Sequence, residues 1–342
     1  MNGVSRLFRS QVIGPLLALL LAVVIVSLTT NRFLTGQNLS NVMLQVSSVA
    51  IAAIGATLVI IAGGIDLSTG SIVALTACVG AILIRNNHFP VWLGILTLLL
   101  MGAGLGLVNG FLSTYGRIPA FIVTLATMGV IRGLAFLITG GTPVMSVSPD
   151  LEPIFYGSFL GLPLPLIYVV VLYALTFIFL RYTIAGRAIY AVGGNESAAR
   201  LSGVRVNQTR LMTFVLAGTM SSVAGVLTMA RLNSGSPNYG VGTELQAIAA
   251  AVIGGASLSG GHGNIISTLF GALTVAVVQN GLNLNIVPAS WQDITLGGII
   301  VLAVGLDMWR ASISQRTSKI VDLFMPKRPE TKSSNEQMQP ER

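Results

Sequence analysis

Few side chains in this sequence could do chemistry, and those few stand apart from one another. The charged candidates in or beside long apolar runs are Asp66, Arg132, Glu244, Asp293 and Asp307. Charge at such positions is costly, so it is kept for ion passage, for pairing or for capping. Asp66 precedes Ser68 as a helix-capping carboxylate would. Arg132 can pair with Glu244 or Asp293, or snorkel outward. Both are carried forward as structural or gating residues. His88 and His262 have no carboxylate or cysteine cluster beside them, so no metal site is expected. Cys78, the one cysteine, lies in an apolar run and is expected to be a packing residue. There is no G-x-S-x-G elbow. The three lysines, Lys319, Lys327 and Lys332, are all near the C-terminus, so no phosphate-binding G-x-x-x-x-G-K-[ST] loop exists.

The remaining polar candidates are neutral: Asn109, Thr124, Thr127, Gln279, Asn280, Asn283 and Asn285. Thr124 and Thr127 are three apart and share a helix face. The last four form the patch QNGLNLN. Hydroxyls and amides in a low-dielectric passage can exchange hydrogen bonds with a neutral, polyhydroxylated solute. Their other reading is helix-to-helix glue.

A second kind of site is RYTIAGRAIYAVGGNESAARLSGVRVNQTR, residues 181–210, which holds five arginines and no lysine. Asn195 can cap a short helix, Glu196 and Arg200 form an i,i+4 pair, and Gly203 suits the left-handed residue that ends a helix. Such a helix has about two turns and needs a partner surface to be stable. Its small face, Ala198, Ala199 and Ser202, offers close approach. The expectation is a cytoplasmic docking element.

The elements that must carry these residues follow from composition. Of 342 residues, 53% are hydrophobic and only 9% charged, with mean hydropathy +0.81; soluble domains have about a quarter charged. The fold class is therefore all-α, a polytopic membrane protein. The net charge of +8 comes from basic residues that punctuate apolar runs, which fits cytoplasmic loops and not a nucleic-acid-binding face. A span needs roughly 20 apolar residues. Ten candidates meet or approach this: 12–29, 42–62, 67–84, 91–113, 120–138, 164–180, 211–230, 245–256, 265–285 and 291–308. The eighth is short and ends in glycine, as a broken or tilted helix would. The first is read as an uncleaved span, because Ser27-Leu28-Thr29 is a poor cleavage site.

With the N-terminus inside, 15 basic residues fall on inner segments and three, Arg32, Arg85 and Arg231, on outer ones. Both termini and the 181–210 loop are then cytoplasmic. The permease domain is taken as 1–310 and the basic tail, 311–342, as largely disordered. The outer loop 139–163, rich in Gly and Pro, reads as an irregular or partly re-entrant cap or a plain surface connection. One internal repeat is visible: GGIDLSTG at 63–70 aligns with GGASLSGG at 254–261, and Gly80-Ala81 with Gly271-Ala272 at the same offset. Gly254, Gly255, Gly260 and Gly261 are accordingly candidates for structural or gating roles.

Four stretches carry a resemblance: IGATLVIIAGGIDLSTGSIVAL (54–75), GRIPAFIVTLATMGVIRGLA (116–135), GRAIYAVGGNESAARLSGVRV (186–206) and ARLNSGSPNYGVGTELQAIAAAVIGGASLSGGHG (230–263). The sequence resembles the permease subunits of bacterial ribose-type sugar ABC importers from about residue 35 to 308. The resemblance implies a non-enzymatic transport subunit of the inner membrane that binds no cofactor itself. ATP and Mg would sit on a separate cytoplasmic ATP-binding subunit, a periplasmic sugar-binding protein would deliver the solute, and a second permease copy or a sister subunit would complete the path. Asn195, Glu196, Ala198, Ala199, Arg200, Leu201 and Gly203 correspond to the ATPase-coupling segment. The general importer pattern E-A-A-x-x-x-G is not kept, since the glycine at 203 comes one place late. Relatives carrying another neutral solute (autoinducer-2, a nucleoside, a polyol) and an ion-driven carrier are the rival readings.

Overall fold

A computed structural model of the chain describes residues 12–305. The basic tail expected over 311–342, with Asp307 and the arginines at 6 and 9, lies outside the described residues. Among the described residues seven helices are long and apolar enough to cross a membrane: α2 (Gly36–Ile61), α3 (Thr69–Ala81, continued by a π-helical turn to Asn86), α4 (Val91–Thr114), α5 (Ala120–Thr139), α7 (Leu164–Tyr182), α10 (Val206–Leu232) and α12 (Ile265–Leu284). Three shorter apolar helices are α1 (Ile13–Thr29), α11 (Thr243–Ile253) and α13 (Ala289–Gly305). The small helices α6 (Glu152–Tyr156), α8 (Ile184–Gly194) and α9 (Glu196–Leu201) lie between them.

The centre is α10, which packs on α2, α3 and α4 through small residues. A Cβ on Gly106 of α4 would overlap the Phe214 carbonyl of α10, one on Gly102 would overlap the Ser222 side chain, and one on Gly55 of α2 would lie 2.8 Å from Ala217 Cα. Without a hydrophobic drive between helices in lipid, this close backbone approach is what holds them. Around the buried pair α2 and α3, the helices α4, α5 and α7 turn Leu100, Leu137 and Leu175 outward, with Leu137 77% exposed, as lipid contact requires. At the periphery α1 packs on α12 through Ala22, Val26 and Val277, joined by Phe33 from the turn after α1 and Val42 of α2. Gly281 of α12 lies so close to Val26 that a Cβ would meet its side chain at 2.6 Å.

The segment 140–163 is more ordered than its composition suggests. Two residues, β1 (Val144–Met145), pair antiparallel with β4 (Ser234–Gly235) just after α10. A second hairpin joins β2 (Ser158–Phe159) to β3 (Leu162–Pro163). Val147, Leu151 and Phe155 are buried, Ser148 N donates to Asn233 Oδ1 (3.0 Å) and Tyr156 Oη to Arg231 O (3.0 Å). The segment is a small folded cap over the end of α10.

The repeat is partly structural. Gly63 and Gly255 both end a helix in the left-handed conformation, φ +82° and +84°. The bonds match: Gly63 N to Ile60 O and Gly64 N to Val59 O, then Gly255 N to Val252 O and Ala256 N to Ala251 O. Both are six-to-one helix stops that only glycine enters without strain. Equivalence is shifted one residue from the sequence alignment and ends there. The first copy runs extended into α3 at Thr69, whereas the second closes a turn, Ser257 N to His262 O at 3.1 Å, before α12.

Candidate functional site

The site is built where residues 181–210 meet the two repeat loops. Thr183 caps α8 by accepting from Gly186 N (2.9 Å). Asn195 then ends α8 and starts α9, its Oδ1 accepting from Ala198 N (2.9 Å). At the far end Gly203 sits at φ +81°, and Val204 N donates to Ala199 O (3.0 Å). The caps expected at both ends of this helix are present, and they explain how six residues hold helical form.

Glu196 fixes α9 to α10. Its Oε1 is 2.9 Å from Arg200 Nη2 and its Oε2 2.9 Å from Arg210 Nη2. The Arg200 guanidinium bonded to it, with Arg210 beyond, holds the Glu196 carboxyl below the usual carboxylate range. Ala199 is buried against Val192 and Val206. It is therefore not part of an approachable small face as expected, but the inner side of a short amphipathic turn. Outward stand Ala198, Ser202 and Leu201, the last 90% exposed.

Beside α9 lies a cavity of about 610 Å³. Glu196, Arg200 and Arg210 form one side, with Arg117 and Thr114 from the α4–α5 turn, and the break between α2 and α3 (Gly63, Gly64, Ile65) forms another. Behind that break Asp66 is buried, its Oδ1 accepting from Ser68 N (2.8 Å) and Ser68 Oγ (2.6 Å). Asp66 thus closes a turn ahead of α3 and does not cap it as expected: the N-cap residue is Ser68, and no side chain makes the capping bond. Asn109 Nδ2 donates to Ser68 Oγ (2.8 Å), and Thr124 Oγ1 reaches Ile65 O (3.2 Å) and Ala120 O (3.0 Å). These two brace the break from α4 and α5. Thr127, half-buried on the same face, bonds to Thr124 O (3.2 Å).

The QNGLNLN patch does not act as one surface. Gln279 accepts from Gln246 Nε2 of α11 (3.2 Å). Asn280 exchanges two amide bonds with Asn38 of α2 (2.9 and 3.0 Å). Asn283 accepts from Gln292 of α13 (2.8 Å), and Asn285 reaches Thr29 of α1 (3.2 Å). Successive residues on a helix point in different directions, so each amide meets a different neighbour. Arg132 pairs with neither carboxylate expected of it. Its Nη1 donates to Pro237 O (2.7 Å) and Tyr239 O (2.6 Å), backbone carbonyls in the turn before α11 that have no helix to satisfy them.

Sequence reasoning missed how the glycines converge. Gly261 N donates to Ile61 O (2.8 Å), and a Cβ on Gly260 would lie 3.0 Å from Gly63 Cα. Gly254 approaches α12, with a Cβ 2.6 Å from Thr268 Cα. Tyr190 of α8 donates to Gly263 O (2.9 Å).

Residues 38–304 match the family described as "Branched-chain amino acid transport system / permease component". Among similar proteins, the ribose import permease protein RbsC of Escherichia coli (strain K12) is 42% identical over 296 residues, 85% of this chain and 92% of that protein. RbsC of Bacillus subtilis (strain 168) is 42% identical over 87% of this chain and 92% of its own length. The L-arabinose ABC transporter permease protein AraH of Azospirillum brasilense is 39% identical over 93% of each. No solved structure matches the chain significantly. With its seven long apolar helices and a family match over most of its length, the chain belongs to the branched-chain amino acid transport system permease family of multi-pass membrane transport components.

Proposed function

We propose that this chain is the membrane subunit of an ATP-driven monosaccharide importer in the bacterial inner membrane, with ribose or a related pentose or hexose as its solute. It crosses the membrane ten times, with both ends and residues 181–210 in the cytoplasm. The distribution of basic residues supports that orientation. At 11 residues, α11 is about 16 Å long and completes its crossing with the turn before it and the loop after it. The family description names branched-chain amino acids, but a zwitterionic solute would call for buried charge along the path. Arg132 is already bound to carbonyls and Asp66 to Ser68, and the path candidates Asn109, Thr124, Thr127, Gln279, Asn280 and Asn283 carry no charge. The names of the ribose and arabinose relatives point the same way.

The observation that carries the reading is α9: a doubly capped helix, tied to α10 by Glu196, that presents Leu201 to solvent. It offers a ready surface to a separate ATP-binding subunit, which a chain without a phosphate-binding loop needs. A periplasmic binding protein and a second permease copy complete the assembly. The test is purification of the tagged chain from native membranes. An ATP-binding subunit should co-purify and be lost when 195–203 is replaced by a Gly-Ser linker. A chain that comes out alone and moves sugar in liposomes under an ion gradient would overturn the proposal.

A further inference from the structure

Helix α8 does more than lead into α9. Its last two residues, Gly193 and Gly194, lie against both repeat loops at once. A Cβ on Gly193 would overlap the Ile61 carbonyl oxygen, the last of α2, and would come within 2.6 Å of Gly261 N. A Cβ on Gly261 would meet Gly194 Cα at 2.5 Å, and one on Gly260 would meet Gly193 O at 2.7 Å. The Ile61 carbonyl that Gly193 touches also accepts the hydrogen bond of Gly261 N (2.8 Å). Three backbones from distant parts of the chain therefore share one point without intervening side chains. A second, independent tie is the Tyr190 hydroxyl on Gly263 O (2.9 Å).

Backbone in direct contact transmits displacement where flexible side chains would absorb it, because packed interiors are stiff. One residue after this point, Asn195 opens α9. One residue before Ala62, Ile61 closes α2 ahead of the break braced by Asp66, Ser68, Asn109 and Thr124. Gly261 belongs to the loop that leads into α12.

We propose that the contact of Gly193 with Ile61 and Gly261, clamped by Tyr190, is the joint through which a displacement of α9 reaches the α2–α3 break and the start of α12. This rests on the reading of α9 as the docking element of the ATP-binding subunit and identifies where its motion enters the transport path. These residues position the path; none needs to touch sugar.

Adjacent glycines provide the control. Gly194 has room for a methyl group, its Cβ 3.8 Å from Gly261 Cα, whereas Gly193 has none. A loss of helix propensity or a general folding defect would treat the two alike. The experiment compares Gly193→Ala, Gly194→Ala and Tyr190→Phe in the assembled transporter in proteoliposomes, measuring co-purified ATP-binding subunit, ATP hydrolysis and sugar uptake. The expected result is retained ATP-binding subunit and hydrolysis in all three, with unchanged sugar moved per ATP for Gly194→Ala. That ratio should fall about five-fold for Tyr190→Phe, the size of one neutral hydrogen bond, and further for Gly193→Ala. If Gly193→Ala does not accumulate, Tyr190→Phe decides alone. Wild-type sugar per ATP in Tyr190→Phe, or uptake and hydrolysis falling in equal proportion with the ATP-binding subunit still bound, would overturn the joint. Loss of the ATP-binding subunit only on replacing 195–203 supports the docking reading; its retention there overturns that reading instead.

Discussion

Asn280 and Asn38 form two hydrogen bonds across 242 residues of sequence, and both are buried. An amide removed from such a pair leaves its partner unsatisfied in a site water does not reach. Asn280→Leu should therefore destabilise the folded protein by about 1–3 kcal/mol. Thermal unfolding in detergent would read that loss, while uptake per folded molecule stays close to wild type. Uptake abolished in a variant of normal thermal stability would return Asn280 to the solute path. At this scale the sequence supplied the polar inventory but not its use. Asn195, Gly203 and the Glu196–Arg200 pair were legible because the partners lie within four residues, whereas the tie of Glu196 to Arg210, fourteen residues on, was not. Asn280, Asn109 and Arg132 were not, because theirs lie on other helices or, for Arg132, on a turn's backbone.

Among the helices, the α4–α10 contact shows how glycine position separates structure from tolerance. Gly106 faces α10 so closely that a Cβ overlaps the Phe214 carbonyl, whereas Gly104, one turn face away, has nothing within 4 Å. Gly106→Val should lower the melting temperature and yield of purified protein, at a cost of about 1–3 kcal/mol or more for overpacking. Gly104→Ala should leave both unchanged or gain up to about 1 kcal/mol from helix propensity. Equal effects at the two sites would remove the close contact from the account. The ten apolar stretches were readable from hydropathy, with ends shifted by up to six residues where polar turns such as Gly36–Asn41 extend a helix beyond its apolar part. The cap reading of the 140–163 loop was open from its composition, but its internal order was hidden because glycines and prolines outweighed a stripe of Val147, Leu151 and Phe155 at four-residue spacing. Likewise, the repeat was visible as letters, but its one-residue shift is a matter of backbone angle.

For the whole molecule, orientation rests on charge alone, and solvent-exposed positions at the two ends can test it. Leu160 in the cap is 87% exposed and Leu201 on α9 is 90% exposed. The native Cys78 is buried, so its thiol gives no background. In intact spheroplasts a membrane-impermeant thiol reagent should modify Leu160→Cys and spare Leu201→Cys until the membrane is opened. The reverse pattern would invert the proposed topology.

The packing of α1 on α12 has a consequence for how the chain is made. The partner of Val26 is Gly281, and a ribosome adding roughly 5–20 residues per second reaches it about 12–50 s after completing α1. Through that interval α1 exists without the helix it finally packs on. A slower ribosome is therefore expected to lower the yield of this protein, through a contact that exists only once synthesis is nearly over.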